Sequence, residues 1–496
     1  MSTPLYLAPR LEPRLASLLD EAGFLHELLH ALGSPLNVVL PDGIADNVER
    51  FKEVYDRHRL AGNIYFAHKA NRSSALVRRL AATRAHIDIA SLGELQHAMG
   101  CGFAPDRIMA TGPKNPEFLW LCARSGVTVN VDSADELAQL AALVEKHRLP
   151  QARVLLRLSD FDSTGVTVLS RRSRFGTPAT AATGLLDLLD KHRESLDLVG
   201  VAYHLDTIGP AEKATAFEGC IRVLNECAAR GFRPRAVDIG GGFGVDYLAE
   251  GAQWEAYTSE LTSAVLGRRT PLTWQGHGYG LRNDAGTVRG ALGLYPAHRP
   301  VSGPRYFDEL LAAQGQSLGR PLATLLLENL YDLHVEPGRA LVDQCGVALA
   351  RVLEVRDTPS GETFVRLEMN ASDVSLEEHG VLMDPVLVRR PGNGGGSGND
   401  VGTAVGTGGP VGVYLIGNLC LEADFITRRM VYLPERPQAG DLLAFANTAG
   451  YFMDFSADHA LHQPVARKVA AYQDGADWRW CLDENYWPNH CTGEDC

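Results

Sequence analysis

Between Asn63 and Glu336 the chain switches repeatedly between short β-branched runs and stretches of helical spacing, and this alternation constrains the fold more than any other feature. The strand-like runs are Asn63–Ala67, Ala85–Ala90, Arg107–Ala110, Val127–Asp132, Arg153–Leu158, Leu198–His204, Ala236–Ile239 and Leu333–Val335. Leu92–Met99, Ala134–Lys146 and Ala214–Arg230 read as helices; the second sets Leu137, Leu140, Leu143 and Val144 near helical spacing. Strands alternating with helices imply a parallel sheet. About eight such units predict an α/β fold, a closed (β/α)₈ TIM-like barrel, although an open doubly wound sheet has a similar pattern.

Two segments break the rhythm. The stretch from Gly242 to Glu336 is far longer than one barrel unit needs, and it is expected to carry an insertion at about 247–333 with its own small structure, including a helix at Tyr306–Gln314. Pro391–Gly409 is glycine-rich and is expected to be a disordered loop. After Ala340 the pattern becomes short alternating strands at Val347–Val355, Thr363–Leu367, Val411–Ile416 and Leu442–Ala446. A chain of 496 residues exceeds what one core sustains. Two domains are therefore expected: a barrel over 43–340, and a mostly β domain built from 341–496 and joined by 1–42 through Leu36–Leu40.

Composition narrows the function. A net charge of −13 argues against a general nucleic-acid binder, which needs a basic surface to meet phosphates. No signal peptide and no membrane span is expected from the sequence. Nine cysteines, sparse and odd in number, fit a reducing cytoplasmic setting better than a disulfide framework. Cys481, Cys491 and Cys496 crowd the C-terminus and are read as plain thiols; no metal site is expected.

In a barrel, function sits at the C-terminal ends of the strands. Those ends carry Lys69, Asp88, Arg157, His204, Gly240–Gly242 and Glu336. Any one of them is unremarkable, but six of eight ends need a common explanation. Successive glycines after a strand let backbone N–H groups close on an anion, usually phosphate, although a tight turn uses them too. A lysine at the end of an apolar strand is a usual Schiff-base former, because desolvation shifts its pKa readily. His68, preceding it on a strand, is expected to face the opposite side and to be structural. Glu336 with Arg339 could serve a cationic ring nitrogen and a phosphate; a surface ion pair would look the same and contributes only about 0–1 kcal/mol.

These residues resemble the fold type III pyridoxal-phosphate (PLP) decarboxylases, the alanine-racemase-barrel group that includes ornithine, arginine and diaminopimelate decarboxylases. FAHKAN, IDIASLGEL, SRFG at Ser173–Gly176, AYHLDT, DIGGGFG and EPGRALV match in order, followed by GNLCLEAD and AGYFM. The resemblance implies that Lys69 forms the internal aldimine with pyridoxal 5'-phosphate and that His204 stacks on its ring. Gly240, Gly241, Gly242, Gly338 and Arg339 would hold the phosphate, helped by Thr207 and Tyr451. Glu336 would pair with the pyridine nitrogen, while Asp88, Glu94 and Arg157 line the site and tune the lysine. Cys420, supplied by a partner subunit, would reprotonate Cα, so a homodimer with shared sites is implied. An amino acid would be decarboxylated through an external aldimine and a quinonoid, with Glu422 and Asp424 reading the substrate.

The sequence also departs from the family. Leu421 stands where an acid directly follows the cysteine, and Glu422 comes one residue later, which on an extended segment turns it to the other face. MNASDVSLEEHG replaces the aromatic and arginine pattern before the cysteine. A diamino, basic or conjugated substrate stays open, the last favoured by the insertion. A racemase or epimerase on the same barrel is the nearest rival, but it would place an arginine where Glu336 stands. A catalytically silent PLP-binding homologue could have lost Lys69 or Cys420, and both are present. A metal-dependent barrel hydrolase would need paired histidines or carboxylates at strand ends, and only His204 is so placed.

Overall fold

The computed structural model describes residues 4–161, 173–205, 209–391 and 409–488. Chain contacts divide it into two units: residues 44–244, 301–341 and 487–496 in one, and residues 1–43, 245–300 and 342–486 in the other.

The first unit is built on eight parallel strands: β1 (Gly62–Ala67), β2 (His86–Ile89), β3 (Ile108–Ala110), β4 (Thr128–Val131), β5 (Ala152–Ser159), β6 (Leu196–Tyr203), β7 (Ala236–Asp238) and β8 (Asp332–Val335). Each pairs with the next in sequence, and β8 pairs back onto β1, which closes the sheet. The (β/α)₈ barrel is therefore formed, and the doubly wound alternative falls. Its strands are short apolar runs buried on both faces, as a helix-covered parallel sheet requires. Tyr65, Met109, Leu155, Val199, Ala202 and Ala236 fill part of its core. Close strand approach explains Gly200, where a Cβ would fall 1.8 Å from the Ala236 carbonyl oxygen.

Side-chain caps start several barrel helices directly after a strand. Ser91 accepts the Glu94 N–H and Ser133 the Glu136 N–H, satisfying amides that a helix start leaves open. The strand → cap → helix order puts the first helical turn beside the strand's C-terminal end.

The second unit is a nine-stranded, mostly antiparallel sheet. Leu36–Val39 joins it between Gly346–Asp357 and Arg467–Asp474. Helices Pro13–Asp20 and Ala22–Leu32 bury Leu15, Leu18, Leu19, Leu25, Leu28 and Leu29 against Val38, Val347, Leu349, Leu442 and Val469.

The single insertion expected at 247–333 is corrected: it divides between the units. Residues 245–300 belong to the β unit, where Trp274 stacks on Phe425 at 5.4 Å between ring centres and Tyr279 donates to Glu377 over 2.9 Å. Residues 301–341 belong to the barrel unit. There Phe307 of the Gly303–Ala312 helix packs with Phe51, Tyr55 and Phe243. Apolar side chains on each half chose the division. Most of Pro391–Gly409, with Cys491 and Cys496, lies outside the described residues. Among the described residues no helix is long and apolar enough to cross a membrane.

Candidate active site

Lys69 lies just beyond β1, in a short 3₁₀ turn spanning His68–Ala70. The alternation expected of His68 does not apply, because the strand has already ended at Ala67. His68 is almost wholly buried against the Leu92–Gly100 helix: its Nε2 is 2.7 Å from Nδ1 of His97, and its Nδ1 lies 3.2 Å from Oε1 of Glu94. His97 also meets the Ser74 hydroxyl at 3.0 Å. The other oxygen of Glu94 accepts the Ala90 N–H over 2.6 Å. Both Glu94 oxygens are thus engaged, and its negative charge reaches Lys69 through space.

Three acids influence one another at the strand ends, and two of them, Asp88 and Glu336, feel the charge of Lys69. Burial pushes Asp88 up to about 6, opposed by the Lys69 charge and a hydrogen bond from Thr111. Burial pushes Asp238 up to about 7, although its Oδ1 accepts the Gly240 N–H over 2.8 Å. Glu336 is raised well above the ordinary range by burial, then by Asp238 and Asp88, against Lys69 and Arg157. One oxygen each of Asp88 and Asp238 is buried without a hydrogen-bond partner among the described residues. Such a cluster is short of positive charge, and a cationic ring nitrogen at Glu336 would supply it.

His204 follows β6 at the strand end. The residue stays exposed to solvent although protein groups surround it. Burial, followed by the charges of Lys213, Lys69 and Arg157, lowers its pKa to about 3. The Gly241 N–H donates to its Nδ1 over 3.2 Å, which requires that nitrogen to be unprotonated. A Cβ at Gly240 would sit 2.7 Å from the same Nδ1, and one at Gly241 2.7 Å from the Glu336 carbonyl oxygen. Glycine is required for this close approach of β6, β7 and β8 ends. The Gly240 N–H serves Asp238 and the Gly241 N–H serves His204, whereas the Gly242 N–H has no hydrogen-bond partner among the described residues.

Arg157 is 3.6 Å from Asp132 and lies over the Phe175 ring at 5.0 Å; Asp132 accepts the Gly176 N–H over 3.1 Å. The SRFG motif therefore clamps the arginine. Gly338 is buried, and Arg339 opens a 3₁₀ turn just after Glu336. Thr207 lies outside the described residues.

The remaining expected residues belong to the β unit. Cys420 and Glu422 are exposed on one loop, bordering a cavity of about 530 Å³ that is also lined by Trp274, Arg356 and Arg366. Asp424 is only 7% exposed, and its oxygens accept the Leu419 N–H (2.8 Å) and the Ala371 N–H (2.9 Å), so it shapes the cysteine loop. Tyr451 adopts φ +73°, with its ring 5.9 Å from that of Phe455.

Three residues escaped the sequence reading: Asp238, Lys213 and His97. Asp238 carried a signal, an acid inside the buried run AVDI. Lys213 is spaced with Ala216, Phe217 and Cys220 on one buried helix face, so it could have been read as part of a core stripe.

The residues present fit PLP: an amine, an acid poised for a ring cation, a neutral imidazole and a glycine loop in which a Cβ at Gly240 or Gly241 would clash. Comparison with known proteins agrees. Residues 42–272 match the family described as pyridoxal-dependent decarboxylase, pyridoxal binding domain. An uncharacterized protein of Sinorhizobium fredii, y4yA, is 30% identical over 477 residues, covering 94% of each chain. A diaminopimelate decarboxylase of Actinosynnema pretiosum is 28% identical over 86% of this chain and 81% of its own. The fold matches the diaminopimelate decarboxylase structure from M. jannaschi, with TM-score 0.69 and 18% identity over 92% of this chain and 91% of that one. With lysine, acids, imidazole and glycines gathered at one barrel mouth, the chain belongs to the fold type III PLP-dependent amino-acid decarboxylases.

Proposed function

We propose that the chain decarboxylates an extended or conjugated amino acid, bulkier than free ornithine or diaminopimelate, with Lys69 as the covalent anchor and Cys420 of a second subunit as the proton donor to Cα. The observation that carries the reading is Glu336, a partly buried acid directly after β8 whose carboxyl is raised by burial, Asp238 and Asp88 against the charge of Lys69. When bound, PLP supplies an electron sink for the pair left behind as CO₂ departs. Glu336 would keep the ring nitrogen cationic, which favours that sink and disfavours racemisation. His204, neutral and fixed by Gly241, would hold the ring plane, while the glycine loop, Arg339 and Thr207 anchor the phosphate. Asp88, Arg157 and Glu94 would set the charge around the Lys69 amine. Holding the reacting bond in one orientation contributes on the order of 7–11 kcal/mol.

The substrate reading rests on the cysteine loop. Asp424 is committed to that loop, which leaves Glu422 as the acid able to meet a substrate amine there. The cavity beside Cys420 is large enough for a side chain longer than ornithine's. CO₂ release across basic, diamino and conjugated amino acids tests this. Turnover with an extended or conjugated substrate is expected; turnover confined to free diaminopimelate or ornithine refutes the substrate reading. Loss of optical rotation without CO₂ release would favour the racemase alternative.

A further inference from the structure

The paired strands Gly346–Asp357 and Thr363–Leu367 carry two guanidinium groups on one face. Their antiparallel register sets Glu354 opposite Arg366 and Arg356 opposite Phe364. Alternate residues of a strand share a face, so these four side chains lie on one side of the sheet, while Val365 on the other side is fully buried. Arg356 and Arg366 are then diagonal neighbours, about 7–8 Å apart at the backbone. Both line the cavity of about 530 Å³ that Cys420 and Glu422 also border, and all of these residues belong to the β unit.

Like charges set close together on a sheet face repel, and an anion between them removes the cost. The neighbouring carboxylates are committed elsewhere or to one arginine alone. Glu354 pairs with Arg366 at 3.2 Å, Asp357 with Arg436 at 2.9 Å, and Glu362 accepts from the Ser360 hydroxyl over 2.6 Å. Asp424 accepts backbone N–H groups of its own loop and of Ala371. The exposed guanidinium of Arg356 makes no hydrogen bond or ion pair among the described residues. A guanidinium is weakly hydrated and presents a fork that matches carboxylate or phosphate oxygens. Aromatic rings line the same cavity: Trp274 is half-buried, stacked on Phe425, with Phe364 edge-on at 5.3 Å. Charge for an anion and apolar surface for a stem thus share one cavity with the cysteine.

We propose that this cavity is a side-chain subsite in which Arg356 and Arg366 hold an oxyanion, so that the preferred substrate is an amino acid whose side-chain extension ends in an acidic group. Its stem lies along Trp274 and Phe425. The inference rests on the reading that Cys420 serves the reacting centre, because only then does the cavity beside it receive substrate. Glu422, exposed on the cysteine loop, repels an acid placed there, so the subsite selects for a charge at the far end of the side chain. Both arginines lie on strands outside the segment that precedes the cysteine.

The test uses the full-length holoenzyme and a matched pair of L-lysine derivatives, acylated on the side-chain nitrogen with succinate or with its terminal amide. Binding is measured by titration calorimetry and turnover by CO₂ release, with free ornithine and diaminopimelate as references. A preference of at least about tenfold for the acid end, in Kd and in kcat/KM, is expected from one charge-assisted hydrogen bond. Arg356→Met and Arg366→Met should each bring that ratio within about threefold of unity, and Arg356→Lys should keep part of it, because it retains charge without the fork. The ratio compares two ligands on one protein, so a poorly folded variant does not mimic its loss. A wild-type ratio near unity overturns the subsite without any variant, as does a ratio that survives in both methionine variants. Turnover of both derivatives without preference removes the subsite and leaves the extended-substrate reading standing. Turnover confined to ornithine or diaminopimelate, or binding of neither derivative, removes both. Should Arg356→Met dissociate the protein on sedimentation with the ratio intact, that face is a subunit contact and the subsite falls.

Discussion

The Gly241 N–H donates to Nδ1 of His204 across 3.2 Å, tying the end of β6 to the glycine loop after β7. The bond fixes both the orientation and the protonation state of the imidazole. Burial and three nearby cations lower its pKa to about 3, so the ring is neutral at physiological pH. Site-resolved NMR of His204 should therefore show no titration between about pH 5 and about pH 9. A His204 resonance titrating near 6.5 would contradict this geometry.

Asp238 gives a pH dependence of the opposite kind. Burial raises its folded-state pKa from 3.8 to about 7. A raised carboxyl stabilises the folded state fully below its unfolded pKa, and that contribution is lost as pH rises through the folded value. The window therefore runs from about pH 4 to about pH 7. Asp238→Asn removes the titration while keeping an oxygen for the Gly240 N–H. In the cofactor-free chain, the Tm of D238N minus that of wild type should grow more positive across this window, and a flat difference would rule the assignment out.

Cys420 and Lys69 test the proposed sharing of sites. Cys420→Ala should slow turnover by about 10²–10⁴-fold, the usual contribution of a positioned proton donor, while a borohydride-trapped adduct still forms at Lys69. Lys69→Ala should give no adduct. Mixing the two inactive proteins should recover roughly a quarter of wild-type activity if each site draws on two subunits, because random pairing makes half of the dimers mixed and each mixed dimer keeps one intact site. No recovery after confirmed subunit exchange would place both residues in one chain's site.

Ser91 sets the first turn after β2. Its hydroxyl accepts the Glu94 N–H over 3.2 Å, and Glu94 returns an oxygen to the Ala90 N–H. Ser91→Ala should cost about 1 kcal/mol, read as a lower Tm, because a helix-start amide loses its acceptor. An unchanged Tm would mean that solvent replaces the cap.

The linear chain determined much of this protein. Its β-branched runs recur at intervals that only a repeating strand–helix unit satisfies, so all eight barrel strands fall where the pattern puts them. The motif residues stand at strand ends because chain order places them there. Tertiary structure decided the rest, because those outcomes depend on neighbours remote in sequence. Closure depended on β8 pairing with β1 across about 270 residues. The 245–341 stretch was divided by which aromatic clusters its two halves could join, Phe364 and Phe425 for Trp274, Phe51 and Phe243 for Phe307. Lys213, read along its helix, belongs to an apolar stripe; its ammonium meets the glycine loop only because the barrel folds that helix beneath β7. Charge and burial are properties of what surrounds a group in space, and a linear sequence does not state them.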